Sequence, residues 1–266
     1  MSASLPFRRA LGATGLEVSA LGLGTVKFGR NTGVKYPAGF ELPSAAEIGE
    51  LLAVARELGI NLLDTAPAYG SSEERIGKLL ADRHEWILAS KVGEEFDGSV
   101  SRFDFSAGHT RTSVERSLRR LRTDYLDLVL IHSDGNDVDI LLHSDCVEEL
   151  RTCQQRGLIR AIGMSSKTIA GGCLAAELLD VVMVTFNLQQ QDKAVVEHAS
   201  ALGKGVLVKK ALMSGHIDTG SAVARDLVLE SLQLNLQTPG IHALIVGTLR
   251  TSHLRSNVAK ALQVLG

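Results

Sequence analysis

The chain has 266 residues, of which 45% are hydrophobic and 22% are charged, and its formal net charge is −2 at pH 7. This composition predicts a soluble globular protein and argues against nucleic acid or a charged membrane surface as its partner. No apolar run approaches the roughly 18 residues of a membrane span, and residues 1–9 lack the apolar centre of a secretion signal, so we expect a cytoplasmic protein.

Short segments rich in Val, Ile and Leu recur along the chain, and stretches of helical length separate most of them. These segments are 18–24, 60–64, 86–91, 126–132, 159–163, 181–187, 206–210 and 243–247. Alternating strands and helices predict a parallel sheet, and eight repeats predict its closure into an α/β fold of the (β/α)8 TIM barrel type. An open doubly wound sheet is the alternative, although no Gly-x-Gly-x-x-Gly motif follows the first segment. Since no linker or change in composition divides the chain, we expect residues 1–266 to form one domain.

Local signals precede the first barrel strand and two of the helices. Residues 7–18 contain two extended runs on either side of Gly12-Ala13-Thr14-Gly15, which predicts an N-terminal β-hairpin that could plug the bottom of a barrel. Ser44 precedes apolar residues at helical spacing, and Ser71 and Glu74 have the spacing of a capping box. Both serines are therefore expected to cap a helix.

Four reactive side chains stand at or just after the ends of three successive predicted strands. Asp64 ends the second strand and Tyr69 follows it, Lys91 ends the third and His132 ends the fourth. If Asp64 pairs with Lys91 near Tyr69, the ammonium is expected to lower the pKa of the phenol. His132 could hydrogen-bond the substrate oxygen. The set is suited to protonating a carbonyl oxygen, and since no side chain supplies a hydride, the reaction needs a nicotinamide cofactor.

The other cysteine and histidine positions indicate no metal site. Cys146, Cys153 and Cys173 are odd in number and lack ligand spacing, which favours reduced thiols over a disulfide framework. The histidines other than His132 share no ligand spacing either, so a metal is not expected.

A nicotinamide dinucleotide needs a phosphate site, and the last two predicted strands continue into segments that suit one. Residues 209–215 and 247–252 both contain cations with small or hydroxyl residues. In barrels of this type, the loops after strands seven and eight and a nearby helix N-terminus often hold phosphate. The alternative for Lys209 and Lys210 is a plain surface pair, although neighbouring side chains on a strand point in opposite directions.

Taken in order, these motifs resemble those of the aldo-keto reductase superfamily. The resemblance rests on Asp64-Thr65-Ala66-x-x-Tyr69-Gly70, on Ser90-Lys91, on Leu130-Ile131-His132 and on flanking segments that run nearly end to end. It implies a (β/α)8 barrel with NADPH extended across its C-terminal face, and NADH is the alternative cofactor. It also makes Tyr69 the general acid, with Lys91 and Asp64 tuning it and His132 orienting the carbonyl.

The resemblance further implies a set of cofactor-binding positions. Ser165 and Ser166 fall where the family binds the nicotinamide carboxamide, Met183 stands in place of a Gln, and Lys209 stands in place of a stacking Tyr. His253 falls where a cation commonly binds the 2'-phosphate, with Arg250 and Arg255 as neighbouring cations. The residues expected to bind the cofactor are Gly24, Thr25, Asp64, Ser165, Ser166, Lys209, Lys210, Leu212, Gly247, Thr248, Arg250, His253 and Asn257.

The sequence thus predicts an NADPH-dependent reductase of a small aldehyde, ketone or sugar carbonyl. The same site could run in reverse, as a dehydrogenase of an aldose or another secondary alcohol. Two alternatives come from other classes: a nucleotide-sensing regulatory subunit, and a barrel enzyme that forms a Schiff base at Lys91. The loop 27–37 is expected to line the substrate mouth, while the sequence fixes neither the substrate nor the oligomeric state.

Overall fold

The computed structural model describes residues 7–34, 36, 39–215 and 226–266. The strands are β1 (Arg8–Ala10), β2 (Glu17–Ser19), β3 (Leu21–Gly24), β4 (Leu62–Asp64), β5 (Ile87–Val92), β6 (Glu94–Phe96), β7 (Ser101–Phe103), β8 (Leu126–His132), β9 (Ile159–Ser165), β10 (Val181–Thr185), β11 (Gly205–Lys209) and β12 (Ala243–Val246). The helices are α1 (Val26–Gly29), α2 (Ala45–Glu57), α3 (Ser72–Leu79), α4 (Ala107–Leu121), α5 (Asp137–His143), α6 (Cys146–Gln155), α7 (Ile169–Leu178), α8 (Lys193–Ala201), α9 (Leu227–Leu236) and α10 (Thr251–Leu265).

Eight parallel strands close into a barrel, which confirms the predicted (β/α)8 fold. Their order around the barrel is β3, β4, β5, β8, β9, β10, β11 and β12, and β12 pairs with β3 from Leu244↔Leu21 to Val246↔Leu23. This last pairing excludes the open doubly wound sheet. The strands read as continuous apolar runs because each is covered on both faces, by the interior on one side and by helices on the other.

The N-terminal hairpin is present and fills one end of the barrel. β1 and β2 pair in antiparallel fashion, and Leu11, Leu16 and Val18 are buried in one cluster with residues from the interior of the barrel. Because the hairpin closes the N-terminal ends of the strands, the C-terminal ends form the face that a ligand can reach. The first predicted barrel strand, 18–24, begins too early, since Val18 pairs with Arg9 within the hairpin and β3 begins at Leu21.

One predicted helix cap is confirmed and the other is wrong. Ser44 Oγ accepts a hydrogen bond from the Glu47 N–H at 3.2 Å, and the Glu47 carboxylate accepts one from the Ser44 N–H at 2.7 Å. Ser71 makes no side-chain cap, because its backbone is near-helical, and Glu74 instead lies 3.5 Å from Arg120 on α4.

A second hairpin, β6–β7, was not predicted, and it lies between β5 and α4 at the C-terminal end of the barrel. Gly93, with φ of +102°, turns the chain out of β5 and into β6. A Cβ at this position would lie 2.3 Å from the Phe105 ring, so the turn requires glycine. This hairpin brings Glu94 to the mouth of the barrel.

The three cysteines are free thiols, with Cys146 and Cys153 buried. In the part of the chain that the structure describes, no group of three or more His, Cys, Asp and Glu side chains is placed to hold a metal ion. None of the described helices has the length and apolar character needed to cross a membrane.

Candidate active site

The C-terminal end of the barrel brings together the four predicted catalytic side chains. Asp64 ends β4, Lys91 lies near the end of β5 and His132 ends β8, while a short 3-10 turn after β4 presents Tyr69. Asp64, Tyr69 and His132 line one cavity of about 560 Å³. Lys91 lies behind the cavity wall and is only 2% exposed.

Lys91 is held by two oxygen atoms. Its Nζ lies 2.5 Å from Asp64 Oδ1 and donates a second hydrogen bond to the Thr65 carbonyl oxygen at 2.8 Å. The same Nζ lies 4.8 Å from the centre of the Tyr69 ring. A buried ammonium requires such partners, because an unpaired charge in the interior is costly. The pair therefore keeps a positive charge beside the phenol ring.

The environment of Tyr69 corrects the expectation that Lys91 lowers the pKa of the phenol. Burial raises the pKa of Tyr69 well above 10, the negative charges of Asp64 and Glu94 raise it further, and only Arg30 acts in the opposite direction. Asp64 lies against the Lys91 ammonium and offsets part of its effect on the phenol, so the ammonium does not reverse the direction of the shift. Tyr69 is therefore a neutral phenol near pH 7 and can donate a hydrogen bond.

His132 stands beside Tyr69 and next to a carboxylate. The two rings meet edge to face, with centroids 6.2 Å apart, and His132 Nδ1 lies 2.8 Å from Glu94 Oε2. Burial lowers the pKa of His132 most, the adjacent Glu94 raises it, and the charges of Lys91 and Lys209 lower it. The sequence reasoning missed Glu94, although a carboxylate just after Gly93 and the end of β5 falls on the same face of a barrel.

The ends of β9 and β11 are joined by Lys209. Its Nζ donates hydrogen bonds to Ser165 Oγ at 2.8 Å and to the Ser166 carbonyl oxygen at 2.5 Å. Burial, with a smaller contribution from Lys210, lowers the pKa of Lys209 to about 7. Met183 is 2% exposed in the barrel interior, and its carbonyl oxygen accepts from the Ser166 N–H at 3.2 Å.

The same cavity continues toward α10. Four residues of α10 face it at helical spacing, namely His253, Ser256, Asn257 and Lys260. At the start of the helix, Arg250 provides no side-chain cap, so the first backbone N–H groups lack a side-chain partner of this kind. This end of the cavity therefore offers a helix N-terminus with hydroxyl, amide and cationic groups.

The structure sorts the residues predicted to bind a cofactor into two groups. Those that line the cavity are Gly24, Thr25, Asp64, Lys209, Lys210, Leu212, Gly247, Thr248, His253 and Asn257. Ser165, Ser166 and Arg250 are not part of the lining, although both serines contact Lys209, which is.

The cations at the α10 end differ from those expected. Arg255 forms a bidentate pair with Glu57 of α2, at 2.9 and 2.7 Å, and is not part of the cavity lining. Lys260 was missed, but it lines the cavity and pairs with Asp226 at 2.6 Å. Its position seven residues after His253, on the same helical face, is the signal that could have identified it.

The predicted mouth loop contributes two residues to the lining. Lys27 and Tyr36 line the cavity, with Lys27 Nζ 4.0 Å from the centre of the Tyr36 ring. Arg30 instead lies over the Phe96 ring and 3.5 Å from Glu94. Residues 35 and 37 lie outside the described part of the chain.

Comparison with known proteins identifies the family. The model of the aldo/keto reductase family matches residues 20–231. The chain belongs to this family. A solved structure from Pseudomonas aeruginosa, provisionally named an aldo-keto reductase, shares 52% identity with this aldo/keto reductase. The match covers 97% of this chain and 95% of the other, with a TM-score of 0.88.

Two named relatives are sugar dehydrogenases. L-galactose dehydrogenase of Arabidopsis thaliana is 28% identical to this aldo/keto reductase over 96% of the chain and 88% of its own length. D-threo-aldose 1-dehydrogenase of a Pseudomonas species is 26% identical, over 95% of the chain and 92% of its own length. The comparisons therefore relate the chain to oxidoreductases along nearly its whole length.

Proposed function

We propose that this aldo/keto reductase uses NADP(H) to reduce the carbonyl group of a small aldehyde, ketone or sugar, with Tyr69 as the general acid. The observation that carries the proposal is the placement of a protonated Tyr69 beside His132 and over the Lys91–Asp64 pair. A neutral phenol can give its proton to a carbonyl oxygen as that oxygen gains negative charge. The nearby ammonium of Lys91 then stabilises the phenolate that remains.

The residues of the cavity fit a nicotinamide dinucleotide phosphate. Lys209, Lys210 and Lys260 supply positive charge, Thr248 and Ser256 supply hydroxyl groups, and the N-terminus of α10 supplies backbone donors. This donor set matches phosphate groups, and Lys209 with Ser165 forms a polar site closer to His132. When bound, a reduced nicotinamide supplies the hydride that no side chain of the protein can provide.

The reverse direction is the second candidate, and the relatives favour it. L-galactose dehydrogenase and D-threo-aldose 1-dehydrogenase are both named for oxidising sugars. Oxidation needs Tyr69 to accept a proton from the alcohol, so it requires the phenolate. A sugar that carries both hydroxyl and carbonyl groups would serve either direction.

The Schiff-base alternative receives no support from the geometry of Lys91. Its amine is 2% exposed and bound by Asp64 and by the Thr65 carbonyl oxygen. A protonated, buried amine is a poor nucleophile because it has no free lone pair. Lys91 therefore serves the site better as a fixed positive charge.

Calorimetric titration with NADPH and with NADH, followed by turnover assays on aldehydes, ketones and aldoses in both directions, tests the proposal. We expect NADPH to bind about tenfold or more tightly than NADH, as expected when charged groups meet the additional phosphate. We also expect measurable turnover with at least one carbonyl compound. Tight binding without turnover would favour the regulatory subunit, and absence of binding to either nucleotide would contradict the proposal.

A further inference from the structure

Lys209 places an amine in the cavity beside the proposed reacting groups. It ends β11 and lines the cavity together with Tyr69 and His132. Its Nζ lies 2.8 Å from Ser165 Oγ, and Ser165 is the residue that pairs with His132 between β9 and β8. Neighbouring strands are about 4.8 Å apart, so the amine lies close to the strand end that carries His132. Its charge is one of those that act on the His132 ring.

In the described part of the chain, no ion pair neutralises the Lys209 amine. Both hydrogen-bond acceptors of its Nζ, Ser165 Oγ and the Ser166 carbonyl oxygen, are uncharged. The carboxylates of Asp137 and Asp192 raise the pKa of Lys209 from a distance, but they accept their hydrogen bonds from backbone N–H groups. When the amine is protonated, this part of the cavity therefore contains a positive charge without a bonded counter-charge.

The proposed reaction determines where a nicotinamide ring has to lie. Its hydride goes to a carbonyl carbon whose oxygen contacts Tyr69, and reacting atoms approach one another to about 3–3.5 Å. The ring is therefore required in the part of the cavity that Tyr69, His132 and Lys209 line. The reduced ring is neutral, whereas the oxidised ring carries a positive charge. A protonated Lys209 thus repels only the oxidised ring.

The size of this repulsion is large enough to measure. At the effective dielectric constant of a protein, two like charges ~10 Å apart repel enough to change a binding constant about tenfold. The phosphate groups are the same in both forms of the cofactor. Their attraction to the cations of the cavity therefore cancels when the dissociation constants of the two forms are compared as a ratio.

We propose that Lys209 discriminates between the two oxidation states of the cofactor, because its ammonium weakens the binding of NADP+ relative to NADPH. The inference rests on the proposed function and adds to it a reason for the release of the oxidised product. The same repulsion makes the bound reduced form a weaker hydride donor. Lys209 thus limits product inhibition by NADP+ at the expense of some driving force for the hydride transfer.

The repulsion should weaken as the pH rises, because the amine then loses its proton. Burial lowers the pKa of Lys209 to about 7. The charged groups that act on it are Lys210, which lowers its pKa, Asp137 and Asp192, which raise it, and Lys167, which lowers it. The His132 ring stays neutral above pH 7, because burial lowers its pKa. The dissociation constant of NADP+ divided by that of NADPH should therefore be largest at low pH.

Calorimetric titration with NADP+ and with NADPH measures this ratio in the absence of any substrate. In the wild-type protein, we expect a ratio of about ten or more near pH ~6.5, falling several-fold by about pH 9. Lys209→Met removes the charge and should give the lower ratio at both pH values. Lys209→Arg keeps a charge that does not titrate in this range, so the ratio should stay high at both.

The matched control is Lys167→Gln, which removes a neighbouring cation that is not part of the cavity lining and lies 5.5 Å from the centre of the Phe103 ring. Its ratio and pH dependence should stay close to those of the wild-type protein. Equal ratios in wild type and Lys209→Met, or a wild-type ratio that is constant or rises with pH, would overturn the inference and leave the proposed reaction intact. Absence of binding of both forms would overturn the proposed function as well.

Discussion

Lys91 Nζ lies 2.5 Å from Asp64 Oδ1, and the two side chains are only 2% and 6% exposed. Tyr69, whose ring centre is 4.8 Å from the same nitrogen, has its pKa raised by burial and by Asp64. The ion pair therefore does not make Tyr69 acidic in the ground state. It holds the Lys91 ammonium at a fixed distance from the ring, where its charge offsets part of the free-energy cost of forming the phenolate during the reaction.

Removing one member of this pair should cost both stability and activity. Asp64→Asn leaves the Lys91 ammonium buried without a counter-charge, and we expect unfolding in urea to become easier by about 3 kcal/mol. Turnover should fall as well, because Lys91 is no longer held beside Tyr69. The control is Glu197→Gln, which breaks the exposed pair with Lys193 (69% and 66% exposed) and should cost roughly 0.5 kcal/mol or less. Equal losses in the two variants would contradict a structural role for the buried pair.

The two reaction directions should respond to pH in opposite ways. Because the pKa of Tyr69 is raised above 10, the phenol is protonated through the neutral range. Reduction, which uses the proton, should keep its rate near neutral pH and lose it only in strongly alkaline solution. Oxidation, which needs the phenolate, should accelerate as the pH rises. Measurements of kcat in both directions from about pH 6 to about pH 10 test this, and an oxidation rate that falls across the range would disagree with it.

Lys209 should make stability depend on pH. Its pKa is about 7 in the folded protein, against 10.5 for an ordinary lysine, so the unfolded chain binds more protons between these values. The free energy of unfolding should therefore rise with pH in this window, relative to Lys209→Met. The upper limit is about 1.4 kcal/mol per pH unit, and the partial exposure of Lys209 to the cavity should reduce it. A difference between the two proteins that is constant with pH would refute the depressed pKa.

Discrimination between NADPH and NADH should depend on Lys260 more than on Arg255. Both cations have a carboxylate partner, but Lys260, which pairs with Asp226, lines the cavity, whereas Arg255, which pairs with Glu57, does not. We expect Lys260→Ala to raise the KM for NADPH about tenfold and to change the KM for NADH little, as for the loss of one charged contact to phosphate. Arg255→Ala is the matched control on the same helix and should leave both values close to wild type. The reverse pattern would assign the phosphate contact to Arg255.

The fold and the predicted catalytic residues could be read from the sequence because each rests on a short local pattern. Continuous apolar runs mark strands that are covered on both faces, and a polar residue that ends such a run must lie at the rim of the barrel. Asp64, Lys91 and His132 were found in this way. Strand boundaries were less exact, as at Val18, because an apolar residue in the hairpin looks the same as one in the barrel.

The features of the site that the sequence did not predict depend on contacts between residues far apart in the chain. No local sequence pattern shows that Arg255 pairs with Glu57 while Lys260 lines the cavity. These positions are set by the packing of α10 against α2. The direction of the Tyr69 pKa shift could not be predicted from the sequence either. It follows from burial and from the summed charges of Asp64, Glu94 and Arg30. Glu94 itself reaches His132 only through a hairpin whose strands, at three residues each, are too short to leave a periodic signal.

The most direct test of Tyr69 as the general acid is the turnover of Tyr69→Phe. The matched control is Tyr125→Phe, which removes the phenol hydroxyl of a residue just before the start of β8, at the opposite end of the barrel. We predict that kcat for carbonyl reduction falls by about a thousandfold in Tyr69→Phe, while calorimetry shows NADPH affinity close to wild type. Tyr125→Phe should retain wild-type turnover. Near-wild-type turnover of Tyr69→Phe would contradict the account.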